Sequence, residues 1–287
     1  MNTYQDIVRA YDALLQSGAL PLFHSKTELP ERSVFSPKEG APRVALFSPH
    51  PDDECIIGAL PLRLMRESGF VVRNIAMTLG SNIARQAERW QELRLACGYL
   101  GFEVLLSSEG GLGALTEQTK AENGHLWHTY VSTIAEHIIA FQPEIVILPH
   151  SHDAHPTHRG THAVVMDALK VTQYPCWVVQ SEFWQPIVQP NVMIACGNHD
   201  IADLMTALAC HAGEVSRNPY HLRLPAWMAD NVRRGAEIIA GNGLRAPNYS
   251  FATLYRIDKW DGERLLTYPH AHFLAVDQKA SSLFEGE

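Results

Sequence analysis

Short apolar segments alternate with longer amphipathic segments over most of this 287-residue chain. Apolar runs of strand length predict strands at Val44–Ser48, Val71–Thr78, Val104–Leu106, Ile145–Leu148 and Trp177–Ser181. Apolar positions at helical spacing predict helices between them, notably Ala84–Leu100 and Trp127–Phe141. Strands that are apolar on both faces and joined by helix-length crossovers indicate a mostly parallel sheet covered on both sides. The predicted fold class is therefore α/β, Rossmann-like, with helices on both faces of one sheet in a single domain.

The pattern also predicts helices and strands in the N-terminal segment and in the second half of the chain. Residues 1–42 contain a helical pattern followed by a linker with proline and charged residues, which we interpret as a segment packed on the core. Residues 43–287 are then the α/β domain. In its second half we predict a strand followed by helices at Ile201–His211 and Pro225–Ala240, and a last strand at Phe251–Arg256.

Composition narrows the class of protein. With 46% hydrophobic and 19% charged residues the chain folds into a globular protein, and no apolar run of 18 residues predicts a membrane span. The net charge is −8 and lysine and arginine form no cluster, which argues against nucleic acid and favours a small-molecule substrate. Five scattered cysteines and no signal pattern predict reduced thiols and a cytoplasmic location. The oligomeric state stays open between a monomer and a homo-oligomer.

Two polar clusters follow two of the predicted strands. Residues 47–54 read Phe-Ser-Pro-His-Pro-Asp-Asp-Glu and begin with the last two residues of the first strand, and residues 152–158 read His-Asp-Ala-His-Pro-Thr-His shortly after the fourth. Parallel α/β sheets place their sites beyond the carboxyl ends of the strands. We therefore expect both clusters at one rim of the sheet.

The spacing within the clusters fits a divalent metal. His50 and Asp53 lie three residues apart at a strand-to-helix turn and can face one point, and His158 can complete the set. Three protein ligands with an open position are typical of catalytic zinc, with Fe²⁺ as the alternative metal. The alternative interpretation is that these histidines are surface or helix-capping residues, because the chain has 15 histidines.

The remaining polar residues suggest proton transfer. Asp52 points away from Asp53 and can reach an activated water, which makes it the candidate general base. His155 is the candidate acid or oxyanion partner. Glu54 and Asp153 are candidates for orienting imidazoles from behind, and Glu54 could equally be a carboxylate that stabilises a helix N-terminus.

These motifs resemble the PIG-L/LmbE-like family of metal-dependent N-deacetylases. Thr78-Leu-Gly and Arg89-Trp-Gln-Glu-Leu add to the likeness, which runs from Val44 to Val165 and more weakly to Tyr255. The resemblance implies a Rossmann-like fold and zinc-dependent removal of an acyl group, usually acetyl, from an amino sugar or its conjugate. It assigns the ligands, the base and the acid to the same five residues as the spacing does.

Substrate contacts are predicted with alternatives. The resemblance implies that Arg89 contacts the substrate, whereas a surface arginine paired with Glu88 or Glu92 is the other interpretation. Trp184 and Gln185 follow a predicted strand at the same rim and are candidates for the pocket wall, although the core is the favoured position for Trp184.

The second motif departs from the family at one position. Thr157 stands where the family usually has aspartate, so the carboxylate that would tune His155 is missing, and Asp153 is the candidate replacement.

A different reaction could use the same site. Hydration of an unsaturated carboxylate would need arginines to bind the carboxylate. Arg85, Arg89 and Arg159 lie near the motifs in sequence and are the candidates for that role.

Overall fold

The computed structural model describes residues 3–16, 20–31, 35–241, 243, 245–268 and 271–285. Within these residues the strands are β1 Arg43–Ser48, β2 Val71–Ala76, β3 Glu103–Leu106, β4 Ile145–Pro149, β5 Cys176–Ser181, β6 Val192–Ala195, β7 Ala252–Trp260, β8 Leu265–Thr267 and β9 His272–Leu274. They form one sheet in the order β3-β2-β1-β4-β5-β7-β6-β9, with β8 paired to β7.

Helices surround this sheet. They are α1 Tyr4–Gln16, α2 Asp53–Ile56, α3 Leu60–Ser68, α4 Gln86–Leu100, α5 Glu117–Glu122, α6 Gly124–Phe141, α7 Pro156–Thr172, α8 Asn198–Leu208, α9 Ala212–Arg217 and α10 Leu224–Ile239. Short 3-10 turns lie at Lys26–Glu28, Ile83–Arg85, Tyr220–Leu222 and Ala280–Leu283.

Both faces of the parallel part of the sheet are covered, as the apolar runs predict. On β1, Val44 and Leu46 lie in the core cluster that includes residues of α3, α4 and α8. Ala45 and Phe47 lie in the cluster on the other face, with residues of α6 and α7. All four side chains are at most 1% exposed. The predicted α/β class with a mostly parallel sheet in a single domain is confirmed.

The far end of the sheet differs from the prediction. The strand expected at Phe251–Arg256 is the longer β7, which lies between β5 and β6 and is antiparallel to both. It is also not the last strand, because β8 and β9 follow it. Each of these is three residues long, too short to give a recognisable period of apolar positions.

The N-terminal segment contains the expected helix, but no residue of α1 is buried. Tyr4 is 88% and Val8 66% exposed. Beyond α1, Leu22 and Phe35 pack against the core. Residues 1–2, 17–19 and 32–34 of the segment lie outside the described part of the chain, and the division at residue 42 stays a prediction.

All five cysteines are free and buried. Among the described residues, no helix has the length and apolar character needed to cross a membrane.

Candidate metal centre

The two polar clusters meet because their strands are neighbours. β1 and β4 run parallel side by side, with Val44 opposite Ile145 and Leu46 opposite Ile147. Their carboxyl ends therefore lie at the same rim. The prediction that both clusters share this rim is confirmed.

The turn after β1 aims the side chains of the first cluster. Asp52 adopts a left-handed conformation with φ of 111°, which is uncommon for a residue with a side chain. Its backbone N–H donates to Glu54 Oε2 at 2.9 Å, and the backbone N–H of His50 donates to Asp53 Oδ2 at 2.9 Å. These two bonds hold the strained turn, so that His50 and Asp53 approach each other.

The side chains of His50, Asp53 and His158 bring three possible metal-ligand atoms close together. Asp53 Oδ2 lies 3.3 Å from His50 Nδ1 and 3.3 Å from His158 Nε2. Ligands bind zinc at about 2.0–2.2 Å, which places neighbouring ligand atoms of a tetrahedron about 3.3–3.6 Å apart. His158 is fully buried, and neither ring nitrogen has a hydrogen-bond partner among the described residues. A buried imidazole without partners is costly, so these residues fit a divalent metal.

Asp153 lies close to the second ring nitrogen of His158. Asp153 Oδ1 lies 3.5 Å from His158 Nδ1, while Asp153 Oδ2 accepts hydrogen bonds from the backbone N–H groups of Trp184 and Gln185. Burial acts to lower the pKa of His158, but the Asp53 and Asp153 carboxylates outweigh it and raise that pKa. Asp153 therefore lies where it can orient an imidazole, as expected.

His155 places a third imidazole beside these donors. Its ring centre lies 4.7 Å from that of His50 and 5.2 Å from that of His158. Its Nδ1 accepts from the backbone N–H of Thr157 at 3.2 Å, so the proton of the neutral ring is on Nε2. Asp153 Oδ1 accepts from the backbone N–H of His155 and not from its ring. The missing motif carboxylate is thus replaced at Nδ1 by a backbone donor. Burial and the neighbouring histidines lower the pKa of His155.

Asp52 lies next to the candidate metal ligands but makes its contacts with other residues. Its Oδ2 accepts from the hydroxyl of Tyr220, and Arg89 Nη2 is 3.8 Å from the same oxygen. Burial and the Asp53 charge raise the pKa of Asp52, and nearby His211, Arg89 and Tyr220 oppose that shift.

Glu54 orients a histidine that is not one of the expected ligands. Its Oε1 accepts from His211 Nε2 at 2.7 Å, and both side chains are fully buried. Sequence reasoning missed both His211 and Tyr220. Neither belongs to a motif, and each lies more than 150 residues from the carboxylate it contacts.

Arg89 reaches the rim from α4. Its Nη2 donates to the backbone carbonyl of Pro51 at 2.8 Å, and its Nε is 3.9 Å from Glu214 Oε1. The alternative that it pairs on the helix surface with Glu88 or Glu92 is wrong. Contact with a substrate stays a prediction.

The other two arginines near the motifs are held by acceptors within the protein. Arg85 pairs with Glu214 at 2.6 Å. Arg159 pairs with Glu117 at 2.7 Å and donates to the carbonyl of Asp153 at 2.8 Å. These contacts compete with the binding of a substrate carboxylate.

Fold and site together define a Rossmann-like α/β protein with polar clusters converging at the carboxyl rim of the sheet. A family model described as PIG-L, GlcNAc-PI de-N-acetylase, matches residues 45–169, which contain both clusters. Residues 45–169 thus match a PIG-L domain, and the resemblance seen in the sequence is confirmed.

Solved structures with the same fold include three proteins of 14–17% identity. The conserved protein TT1542 from Thermus thermophilus is 15% identical, with 80% of this chain and 95% of that one covered at a TM-score of 0.54. GalB, a 4-carboxy-2-hydroxymuconate hydratase from Pseudomonas putida, is 17% identical, with coverages of 75% and 95% and a TM-score of 0.56. The N,N'-diacetylchitobiose deacetylase from Pyrococcus horikoshii is 14% identical, with coverages of 90% and 93% and a TM-score of 0.53. At these identities the likeness shows the fold. A comparison with curated proteins finds no match.

Proposed function

We propose that this protein is a divalent-metal-dependent hydrolase that removes an N-acyl group, acetyl in the first instance, from an amino sugar or its conjugate. The observation that carries the proposal is that Asp53 Oδ2 lies 3.3 Å from both His50 Nδ1 and His158 Nε2, with a separate carboxylate on Asp52 beside them. The description of the matching family model as a de-N-acetylase and the Pyrococcus deacetylase of the same fold support the reaction class.

His50, Asp53 and His158 would hold the metal, zinc by preference and Fe²⁺ as the alternative. A bound divalent metal lowers the pKa of water and polarises a carbonyl oxygen. The burial of Asp53 and His158, at 1% and 0% exposure, keeps bulk water away from the ligand atoms.

Asp52 is the proposed base for the attacking water. The Tyr220 hydroxyl holds Oδ2, which leaves Oδ1 to accept the proton. As the amide C–N bond breaks, the proton that Asp52 took from the attacking water passes to the departing nitrogen, while Nε2–H of His155 donates a hydrogen bond that stabilises the carbonyl oxyanion. The products are the free amine and the carboxylic acid, so water supplies every atom that is added.

The test is amine release from a panel of N-acetylated sugars and their conjugates, with metal content measured on each preparation. General base catalysis contributes about 10²–10⁴-fold, so Asp52→Ala should lose that much activity while retaining metal. Asp230→Ala removes a half-exposed carboxylate on α10 and should retain full activity. Full activity in Asp52→Ala would contradict the assignment of the base.

Hydration of an unsaturated carboxylate is the second candidate, since GalB has this fold. The pairing of Arg85 with Glu214 and of Arg159 with Glu117 disfavours it. Turnover of a muconate-like acid without release of any amine would favour hydration over deacetylation.

We also infer a reducing, cytoplasmic location. The five free and buried cysteines support it, because none of them forms a disulfide.

A further inference from the structure

An apolar cavity lies beside the candidate metal centre and has no role in the chemistry proposed above. Its volume is about 180 Å³, and aromatic side chains form most of its wall, namely Phe183, Trp184, Tyr220 and Trp227. Ile56 and Leu224 complete the apolar lining, and Arg223 adds a charged side chain to the wall. Ligand pockets are commonly lined in this way, by apolar and aromatic side chains next to a few polar groups.

Two residues that line the cavity, Tyr220 and Phe183, contact residues of the candidate site. The Tyr220 hydroxyl donates to Asp52 Oδ2, and the ring of Phe183 packs edge-on against that of His158 with centres 4.8 Å apart. A group bound in the cavity would therefore be attached close to the reacting amide.

Trp184 is the clearest sign of a binding role. Its backbone is fixed by the bond to Asp153 Oδ2 at 3.1 Å, but its side chain is 54% exposed. Sequence reasoning favoured Trp184 as a core residue, and that prediction is wrong. An indole held at the wall of a cavity offers a large rigid surface to an apolar ligand.

We propose that this cavity binds an apolar group of the substrate, a short alkyl chain or a ring. The inference extends the proposed function, because it makes the substrate an amphipathic N-acyl compound and not a bare N-acetylated monosaccharide. The group has two possible sources, the acyl chain that is removed or an apolar substituent on the sugar.

The test measures binding by calorimetry in the Asp52→Asn background, which prevents turnover under the proposed mechanism. One arm uses glucosamines with N-acyl chains from acetyl to hexanoyl. The other uses N-acetylglucosamine glycosides with alkyl groups from methyl to hexyl. Burial of each methylene should tighten binding about fourfold in the arm that matches the true source.

Trp184→Ala in the same background should reduce this gain to about twofold or less per methylene. Val188→Ala is the matched control. Val188 belongs to the same loop, is 71% exposed and does not line the cavity, so the gain should be unchanged. Circular dichroism checks that both variants fold.

The outcomes separate this inference from the proposed function. The inference is supported if affinity rises with chain length in one arm and Trp184→Ala reduces that rise. The arm in which this happens identifies the source of the apolar group. This conclusion holds even if the unsubstituted protein hydrolyses none of the compounds. Flat affinity in both arms overturns the inference, even if N-acetylglucosamine is deacetylated. A gain that Trp184→Ala leaves unchanged also overturns it.

Discussion

The buried pair of Glu54 and His211 allows a quantitative prediction about the support of the candidate base. Glu54 Oε1 accepts from His211 Nε2 at 2.7 Å, and Oε2 accepts from the backbone N–H of Asp52 at 2.9 Å. Burial acts to lower the pKa of His211, but the Glu54 carboxylate outweighs it and raises that pKa. The stabilisation by the charged histidine is present below its unfolded pKa of about 6.5 and is lost as pH rises through the folded value.

Replacing one partner should be costly because it leaves the other charge buried and unpaired. For His211→Leu at pH 6 we expect a loss of about 3–5 kcal/mol in the free energy of unfolding. At roughly 2–4 °C per kcal/mol for a large domain, the melting temperature should fall by roughly 6–20 °C. The double variant Glu54→Gln/His211→Leu should lose less. It buries no charge, and the glutamine oxygen can still accept from Asp52.

Urea denaturation at pH 6 measures these differences for the two variants and for His128→Leu, a control on the exposed face of α6. The control should stay within about 0.5 kcal/mol of the unsubstituted protein. A loss below about 1 kcal/mol in His211→Leu would refute the reasoning, as would a double variant less stable than His211→Leu.

Three further predictions concern the scaffold of the site. Arg63 is 1% exposed and donates to backbone carbonyls of the C-terminal segment, including that of Gln278. Arg63→Met should therefore lower the free energy of unfolding by more than about 3 kcal/mol. It should also speed proteolysis of residues 271–285, because the bonds that hold this segment are lost. Gly160→Ala should destabilise by about 1–3 kcal/mol, because its Cβ would lie 2.3 Å from the carbonyl oxygen of Leu115. Gly98→Ala, on α4 with nothing within 4 Å of the new Cβ, should instead stabilise by about 0.4–1 kcal/mol, and thermal unfolding distinguishes the two.

The sequence predicts the parts of the site that depend on local pattern. β1 and β4 are apolar runs, and the residues directly after them form motifs whose spacing is set by one turn or one helix start. Since parallel strands end at a common rim, the sequence predicts both motifs at that rim. The pairing of β1 with β4 in the structure then brings His50 and His158 together.

Other parts of the site depend on contacts between distant segments. Tyr220 lies on a 3-10 turn and His211 precedes α9, and each meets the first motif across more than 150 residues. Single residues outside a motif give no periodic signal.

At Thr157 the sequence shows that the usual aspartate is missing, but it does not show which group takes its place. The absence of the usual carboxylate is visible in the motif, and Asp153 is the nearest replacement along the chain. In the structure Asp153 instead approaches His158, and the backbone N–H of Thr157 donates to Nδ1 of His155. A backbone donor at this nitrogen favours the neutral ring, where a carboxylate would favour the charged one.

The central claim is that His50, Asp53 and His158 hold one divalent metal and that Asp52 does not. Elemental analysis of purified protein loaded with zinc tests it most directly, in the unsubstituted chain and in Asp52→Asn, Asp53→Asn and His158→Gln. We predict about one equivalent of metal in the first two and large losses in the last two, with all four folded by circular dichroism. Full metal content in both Asp53→Asn and His158→Gln, or its loss in Asp52→Asn alone, would contradict the account.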